Sequence, residues 1–175
     1  MELITSDQRD ELFATFERDA FHLELRDDYH VANEDDPFRR WLSGNPDDGT
    51  WQRPWLSRIR QATQSGRTVR RVRVVTEPLT DFIRWEHVVT DANQEAGEDI
   101  RWLPRHRVPA AIQWPLHGND WWLFDDRLLA VGHLRKDGSV MGSELIDDPH
   151  VVSTCAELRD QLWSIATPHT QYSPV

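Results

Sequence analysis

A single cysteine, Cys155, leaves the chain without a second thiol for an internal disulfide or for a thiol pair on a metal. Lysine is almost as scarce: of 20 basic residues only Lys136 is Lys, so nineteen are Arg. Genome composition produces that bias as readily as selection for the planar guanidinium fork. No apolar run approaches the roughly 20 residues that cross a bilayer. The opening MELITSDQRDEL has no positively charged start followed by an apolar core of the kind that directs secretion. These absences lead to the expectation of a cytoplasmic protein, neither exported nor inserted in a membrane.

Motifs of catalysis are missing as well. There is no G-x-S-x-G elbow, no G-x-G-x-x-G loop and no G-x-x-x-x-G-K-[ST] segment. Cys155 falls on the apolar stripe of an expected helix, a setting that protects a thiol rather than activating it. Helix-turn-helix spacing, a zinc-finger ligand series and paired RNA-binding motifs are absent too. No catalytic, cofactor-binding or metal-ligating residue is therefore assigned, and direct nucleic-acid binding is not expected. The excess of 30 acidic over 20 basic residues, a formal charge of -10, repels a polyanion.

What is present supports a folded core: 38% hydrophobic residues and nine Trp in 175 residues suffice for one domain. SDQRDELFATFERDA reads as a helix capped by Ser6 or Asp7, and FHLELR alternates as a half-buried strand. Residues 27–50 read as irregular, with a short helix from Pro37 to Leu42 and a turn at NPDDG. PWLSRIRQATQS places Trp55, Ile59 and Ala62 at helical spacing before Gly66. In TVRRVRVV, Val72 and Val74 share one strand face while Arg71, Arg73 and Val75 share the other. A helix with Pro78 in its first turn, a strand EDIRWLP and a strand WWLFDD follow. The Asp137–Gly138 pair between apolar runs marks a hairpin. The last helix, capped by Asp148, aligns Val151, Cys155, Leu158, Leu162 and Ile165, and residues 168–175 read as a loose tail. The expected fold is a single α/β domain over 1–175, with a mixed sheet, a C-terminal antiparallel hairpin and flanking helices.

The main charge asymmetry runs from Arg53 through Arg73, seven arginines with no intervening acid. Such a run suits an anion or an acidic protein surface, or it is paired internally. Glu24 alternates away from Phe21 and Leu23, so a neighbouring strand places it near Arg71 or Arg73. His22, Glu24 and His133 also lie on strands, where they could converge on a metal or act as acid and base; no short ligand motif requires that, and the histidines are read as scattered over the surface. Asp125 and Asp126 read as turn residues, and Asp147 and Asp148 as helix caps.

The segments DDPFRRWLSG, GRTVRRVRVVTEPLTDFIRWE, AGEDIRWLPR, WWLFDD and ELIDDPHVV together resemble an uncharacterised actinobacterial domain family found beside small helix-turn-helix regulators. More remotely, the order of VRVV, helix, IRWLP and WWLFDD resembles a degenerate phospholipase-D-like domain. The active H-x-K motif of that class is not met, because Leu134 stands two residues before Lys136. The resemblance implies that Arg71, Arg73, Glu77, Arg84, Glu86, Arg101 and Asp125 cluster around strand ends. Taken with the arginine-rich middle and the missing enzyme motifs, it leads to the expectation of a noncatalytic regulatory or adaptor-like domain that binds a protein partner or a small anionic signal, with Arg58, Arg71, Arg73 and Arg84 as the surface candidates. The alternative is a divergent phosphodiesterase using His133.

Overall fold

A computed structural model describes residues 2–45 and 47–174. Pro46, within the expected NPDDG turn, and Val175, at the end of the expected tail, lie outside the described residues. In chain order the elements are β1 (Leu3–Ile4), α1 (Ser6–Thr15), β2 (Asp19–Glu24), α2 (Asp35–Leu42), α3 (Arg53–Gln64), β3 (Thr68–Val75) and α4 (Asp81–Ala96). They continue with β4 (Asp99–Pro104), β5 (Trp121–Phe124), β6 (Leu128–Leu134), β7 (Val140–Ile146), α5 (Pro149–Ile165) and β8 (Thr167–Pro168).

Among the described residues the strands form one mixed sheet, ordered β1-β7-β6-β5-β2-β3-β4-β8. β2, β3 and β4 are parallel, joined by helical crossovers. β5, β6 and β7 continue antiparallel from the other side of β2. The expected α/β class holds, and β6 and β7 form the hairpin around Asp137 and Gly138.

Alternation along the central strands separates two surfaces. Phe21, Leu23, Val72, Val74, Leu103 and Leu123 pack with Val152, Cys155, Leu158 and Leu162 of α5. The opposite surface carries two separate apolar clusters. Phe13, Leu56, Ile59, Val69, Trp122 and Phe124 form one, and Val75, Phe82, Trp85, Ile100, Trp102 and Tyr172 form the other.

Several boundaries differ from expectation for identifiable reasons. Thr5, rather than Ser6 or Asp7, caps α1, because its hydroxyl accepts from the Gln8 amide while Gln8 Oε1 accepts from the Thr5 amide. α1 stops at Thr15 because the Asp125 carboxylate accepts the amides of Glu17, Arg18 and Asp19 at 2.8, 2.7 and 3.0 Å, drawing them into the start of β2. α4 begins after Pro78, with Thr80 as its cap. On α5 the buried stripe includes Val152, whereas Ile165 is exposed. The tail is docked rather than loose. β8 pairs with β4, Tyr172 stacks on Trp102 with centroids 5.4 Å apart, and its hydroxyl donates to Glu77 at 2.7 Å.

The β1–β7 edge depends on Gly142. Its φ of 146° suits glycine, and a Cβ there would sit 2.8 Å from the Ile4 carbonyl oxygen. Gly142→Ala is expected to lower the free energy of urea unfolding by about 1–3 kcal/mol. Gly132→Ala, whose Cβ would meet nothing closer than 3.5 Å, should cost less.

Candidate functional site

The polar seam between the two clusters originates in β2 and β3. Their parallel register sets His22 beside Arg71 and Glu24 beside Arg73, and alternation sends all four away from α5. Glu24 then meets both arginines: Arg71 Nη1 donates to Oε1 at 2.5 Å, and Arg73 Nε lies 3.0 Å from Oε2. Arg71 Nε also donates to Glu98 Oε1 at 2.7 Å, and Arg73 Nη1 pairs with Glu86 of α4. Glu98 follows Gly97 at the end of α4, and its Oε2 accepts from Asn93 Nδ2 at 2.7 Å and Trp55 Nε1 at 3.2 Å. The pairing of Glu24 with Arg71 and Arg73 expected from strand alternation is thus formed.

Burial would raise the Glu24 carboxyl, but Arg71 and Arg73 outweigh it and hold it at about 2. Burial lowers Arg71 in its turn, and Glu24 and Glu98 more than compensate, so it ends above its ordinary range. Arg73 ends below its ordinary value, because burial and the neighbouring Arg71 outweigh the help of Glu24. His22 stacks on Trp122 at 4.2 Å with ring planes 12° apart. Burial, joined by the positive charges of Arg71, Arg9 and Arg73, pushes it well below 6.5 against the pull of Glu24, keeping the imidazole neutral.

Beside this seam is a cavity of about 490 Å³ whose walls include His22, Glu24, Arg71 and Arg73. It lies toward the C-terminal ends of β2 and β3, where α/β sheets commonly receive ligands. Tyr29 and Glu34 enter from the segment after β2, Trp51 from a turn before α3, and Asp120 from the residue before β5. His133 and Ser143 complete the wall from the β6–β7 hairpin, to which the segment after β2 is tied by a bridge between His30 and Ser139. Tyr29 donates its hydroxyl proton to Asp120 Oδ2 at 2.6 Å, and Asp120 Oδ1 accepts the Leu25 amide at 2.8 Å.

Glu34 and Asp120 have no ion-pair partner among the described residues. Burial raises Glu34 to about 7, opposed by Arg73 and reinforced by Glu24. Burial likewise raises Asp120 to about 6, opposed by the Tyr29 hydrogen bond and reinforced by Glu24.

Three of the four arginines singled out in the sequence, Arg58, Arg71 and Arg73, meet on this cavity, and Arg84 does not. Arg71 and Arg73 are 8% and 6% exposed, so they are buried in ion pairs rather than displayed on the surface. Arg58 is partly exposed at the rim, 2.8 Å from Asp10, and Arg84 is exposed on α4, 3.5 Å from Asp81. The larger expected cluster forms only in part. Arg101 lies over Trp163 on the α5 side, Asp125 holds the start of β2, and Glu77 receives Tyr172. His22, Glu24 and His133 converge on the cavity, the alternative to a scattered placement of the histidines, and His133 Nε2 lies 3.0 Å from Glu144. Among the described residues no group of three His, Cys, Asp or Glu is arranged to hold a metal. No described helix is long and apolar enough to cross a membrane.

One family model matches residues 7–174, which takes in every cavity-wall residue except Ser6. The chain belongs to the DUF6879 family, a domain of unknown function. No curated protein matches it. In this DUF6879 domain the residues that sequence reasoning missed are Tyr29, Glu34, Trp51 and Asp120. All four lie outside regular strands and helices or at their margins, where periodicity carries no signal.

Two outcomes follow from the site. Arg71→Ala strips Glu98 and part of Glu24 of their cation and is expected to lower unfolding free energy by about 3–5 kcal/mol. Arg71→Met with Glu98→Gln should recover part of that loss in the same urea titration. The second concerns pH. The stability contributed by Glu34 and Asp120 is fully present below the ordinary carboxylate range and is lost as the pH rises through about 6 and about 7. His22 and His87 act in the opposite sense, losing their contributions as the pH falls below 6.5. The wild-type slope sums these opposed effects, and comparison with Glu34→Gln isolates the Glu34 part between about pH 5 and about pH 7. Thermal denaturation should show the melting temperature of wild type falling relative to that of Glu34→Gln across that window.

Proposed function

We propose that this DUF6879 domain is a noncatalytic binding module that takes a small polar molecule into the cavity beside β2 and β3. One observation carries the reading. Three buried polar atoms on cavity-wall residues, His22 Nδ1, Glu24 Oε2 and Arg73 Nε, lack an aligned hydrogen-bond partner among the described residues. Arg73 Nε and Glu24 Oε2 face each other at 3.0 Å as an ion pair, yet without hydrogen-bond alignment. Buried polar groups are nearly always satisfied, so their concentration on one cavity favours a ligand that supplies both donors and acceptors. The volume falls within the range of about 300–1,000 Å³ common for small-molecule sites.

Binding is favoured over turnover because the charged groups of the seam are committed to one another. Glu24 serves two arginines, each arginine serves a second carboxylate, and His133 lies against Glu144. A regulatory or adaptor-like domain would sense such a ligand and pass its state to a partner protein, the role implied by resemblance to a family encoded beside regulators. Val140 supports that reading, since it touches the cavity and is also 39% exposed on the hairpin. The phosphodiesterase alternative is supported by the place of His133 on the cavity wall.

A thermal-shift and tryptophan-fluorescence screen with small cationic, neutral and anionic molecules tests the proposal. A ligand present at about 100 times its Kd should stabilise the fold by about 2.7 kcal/mol. Asn33→Trp, which introduces a bulky side chain at an exposed wall position, should abolish the shift. Binding that survives this change would place the ligand elsewhere. Hydrolysis of a generic phosphodiester, lost in a folded His133→Ala variant, would favour the enzyme.

A further inference from the structure

The charge of the cavity wall narrows the ligand. Each arginine of the seam already lies between carboxylates: Arg71 between Glu24 and Glu98, Arg73 between Glu24 and Glu86. At the rim, Arg9 and Arg58 both approach Asp10 at 2.8 Å. An anion entering here would compete with acids already in place. Glu34 and Asp120, by contrast, are wall carboxylates with no cationic side chain in ion-pair range among the described residues. Asp120 is held by Tyr29 and by the Leu25 amide, so it is positioned without being neutralised. The wall also carries the aromatic rings of Tyr29 and Trp51, and aromatic rings attract cations.

We propose that the cavity recognises a small organic cation, an amine or related nitrogen base carrying an aromatic or apolar body, with Glu34 and Asp120 as its counter-charges. This deepens the binding-module reading and rests on it. It replaces the small anion suggested by the arginine run with a ligand of the opposite charge, because the arginines are held by acids and two acids are not held by arginines. Binding draws Glu34 and Asp120 into their ionised forms, so the ligand releases protons as it enters and binds more tightly as the pH rises through neutrality.

A matched series separates charge from shape: tyramine, its neutral analogue para-propylphenol and its anionic analogue para-hydroxyphenylpropionate. Calorimetric titration of the full chain near neutral pH should show tyramine binding at least about tenfold more tightly than either analogue. Glu34→Gln and Asp120→Asn should each weaken tyramine by about tenfold while leaving the analogues unchanged or improved. Tyramine titrated in buffers of different protonation enthalpy should show proton release, which Glu34→Gln reduces. The amide variants preserve side-chain shape, and their melting curves confirm folding. Tighter binding of the anion, lost in Asn33→Trp, would overturn the cation assignment and leave the cavity standing as a binding site. Equal binding of tyramine by wild type and both amide variants, or no binding of any of the three, would overturn the inference itself. The wider screen with the same blocked variant then decides whether the binding-module reading falls with it.

Discussion

The Glu24 carboxylate, shared between two guanidiniums in the middle of a sheet, is the constraint on which the helical face of this domain depends. A carboxylate at that depth is tolerated only with cations in contact, and the cations in turn need further acids. Arg71 and Arg73 come from the adjacent strand at matching register, so they cannot be absent from Glu24 without shifting the β2–β3 pairing. Their second partners fix the next layer. Glu86 must project from α4, and Glu98 must follow it, which ties the length and position of that helix to the charges beneath it. Trp55 of α3 and Asn93 of α4 complete Glu98. The network therefore aligns two helices and two strands at one place.

The same network explains why the cavity is on this face. Under α5 the sheet presents Val, Leu, Phe and Trp side chains, which pack against the helix as one continuous apolar cluster. On the opposite face the charges interrupt that continuity and leave two clusters separated by groups that need directional partners. Directional groups fill space less freely than methylenes do. The space between the clusters is closed instead by the segment after β2 and by the β6–β7 hairpin, which meet at His30 and Ser139. Division of labour between faces follows: one supplies bulk stability, and the other supplies polar groups facing a cavity.

Much of this was legible in the sequence. Alternation in TVRRVRVV assigned Arg71 and Arg73 to the same face, and alternation in FHLELR set Glu24 apart from Phe21 and Leu23, so the pair could be anticipated from period two alone. The Asp137–Gly138 turn and the Asp148 cap carried local chemistry strong enough to survive tertiary context. Where reading failed, a distant partner had the final word. Asp125 ended α1 early by capturing three amides more than a hundred residues away in sequence, and Trp102 and Glu77 held a tail that has no pattern of its own. Arg71 and Arg73 looked like surface arginines because an arginine run is equally consistent with solvent and with burial until its acids are located. Tyr29, Glu34, Trp51 and Asp120 were invisible as a set, since they reach the cavity from separate segments with no shared period.

The two classes of carboxylate on one cavity show how environment assigns roles to identical groups. Glu24, in contact with two guanidiniums, is held at about 2, whereas Glu34 and Asp120, desolvated without a cation, are raised to about 7 and about 6. The first is a structural charge that stays ionised well below neutrality. The other two change ionisation near neutrality, and each is pushed further up by the permanent charge on Glu24. The ion pair that organises the fold thus also sets the electrostatics of the cavity: by remaining ionised it makes a second negative charge nearby unfavourable until something positive arrives. Structure and recognition are coupled through that one carboxylate, because any change that neutralised Glu24 would both unpair two buried arginines and relax the groups left free to meet a ligand.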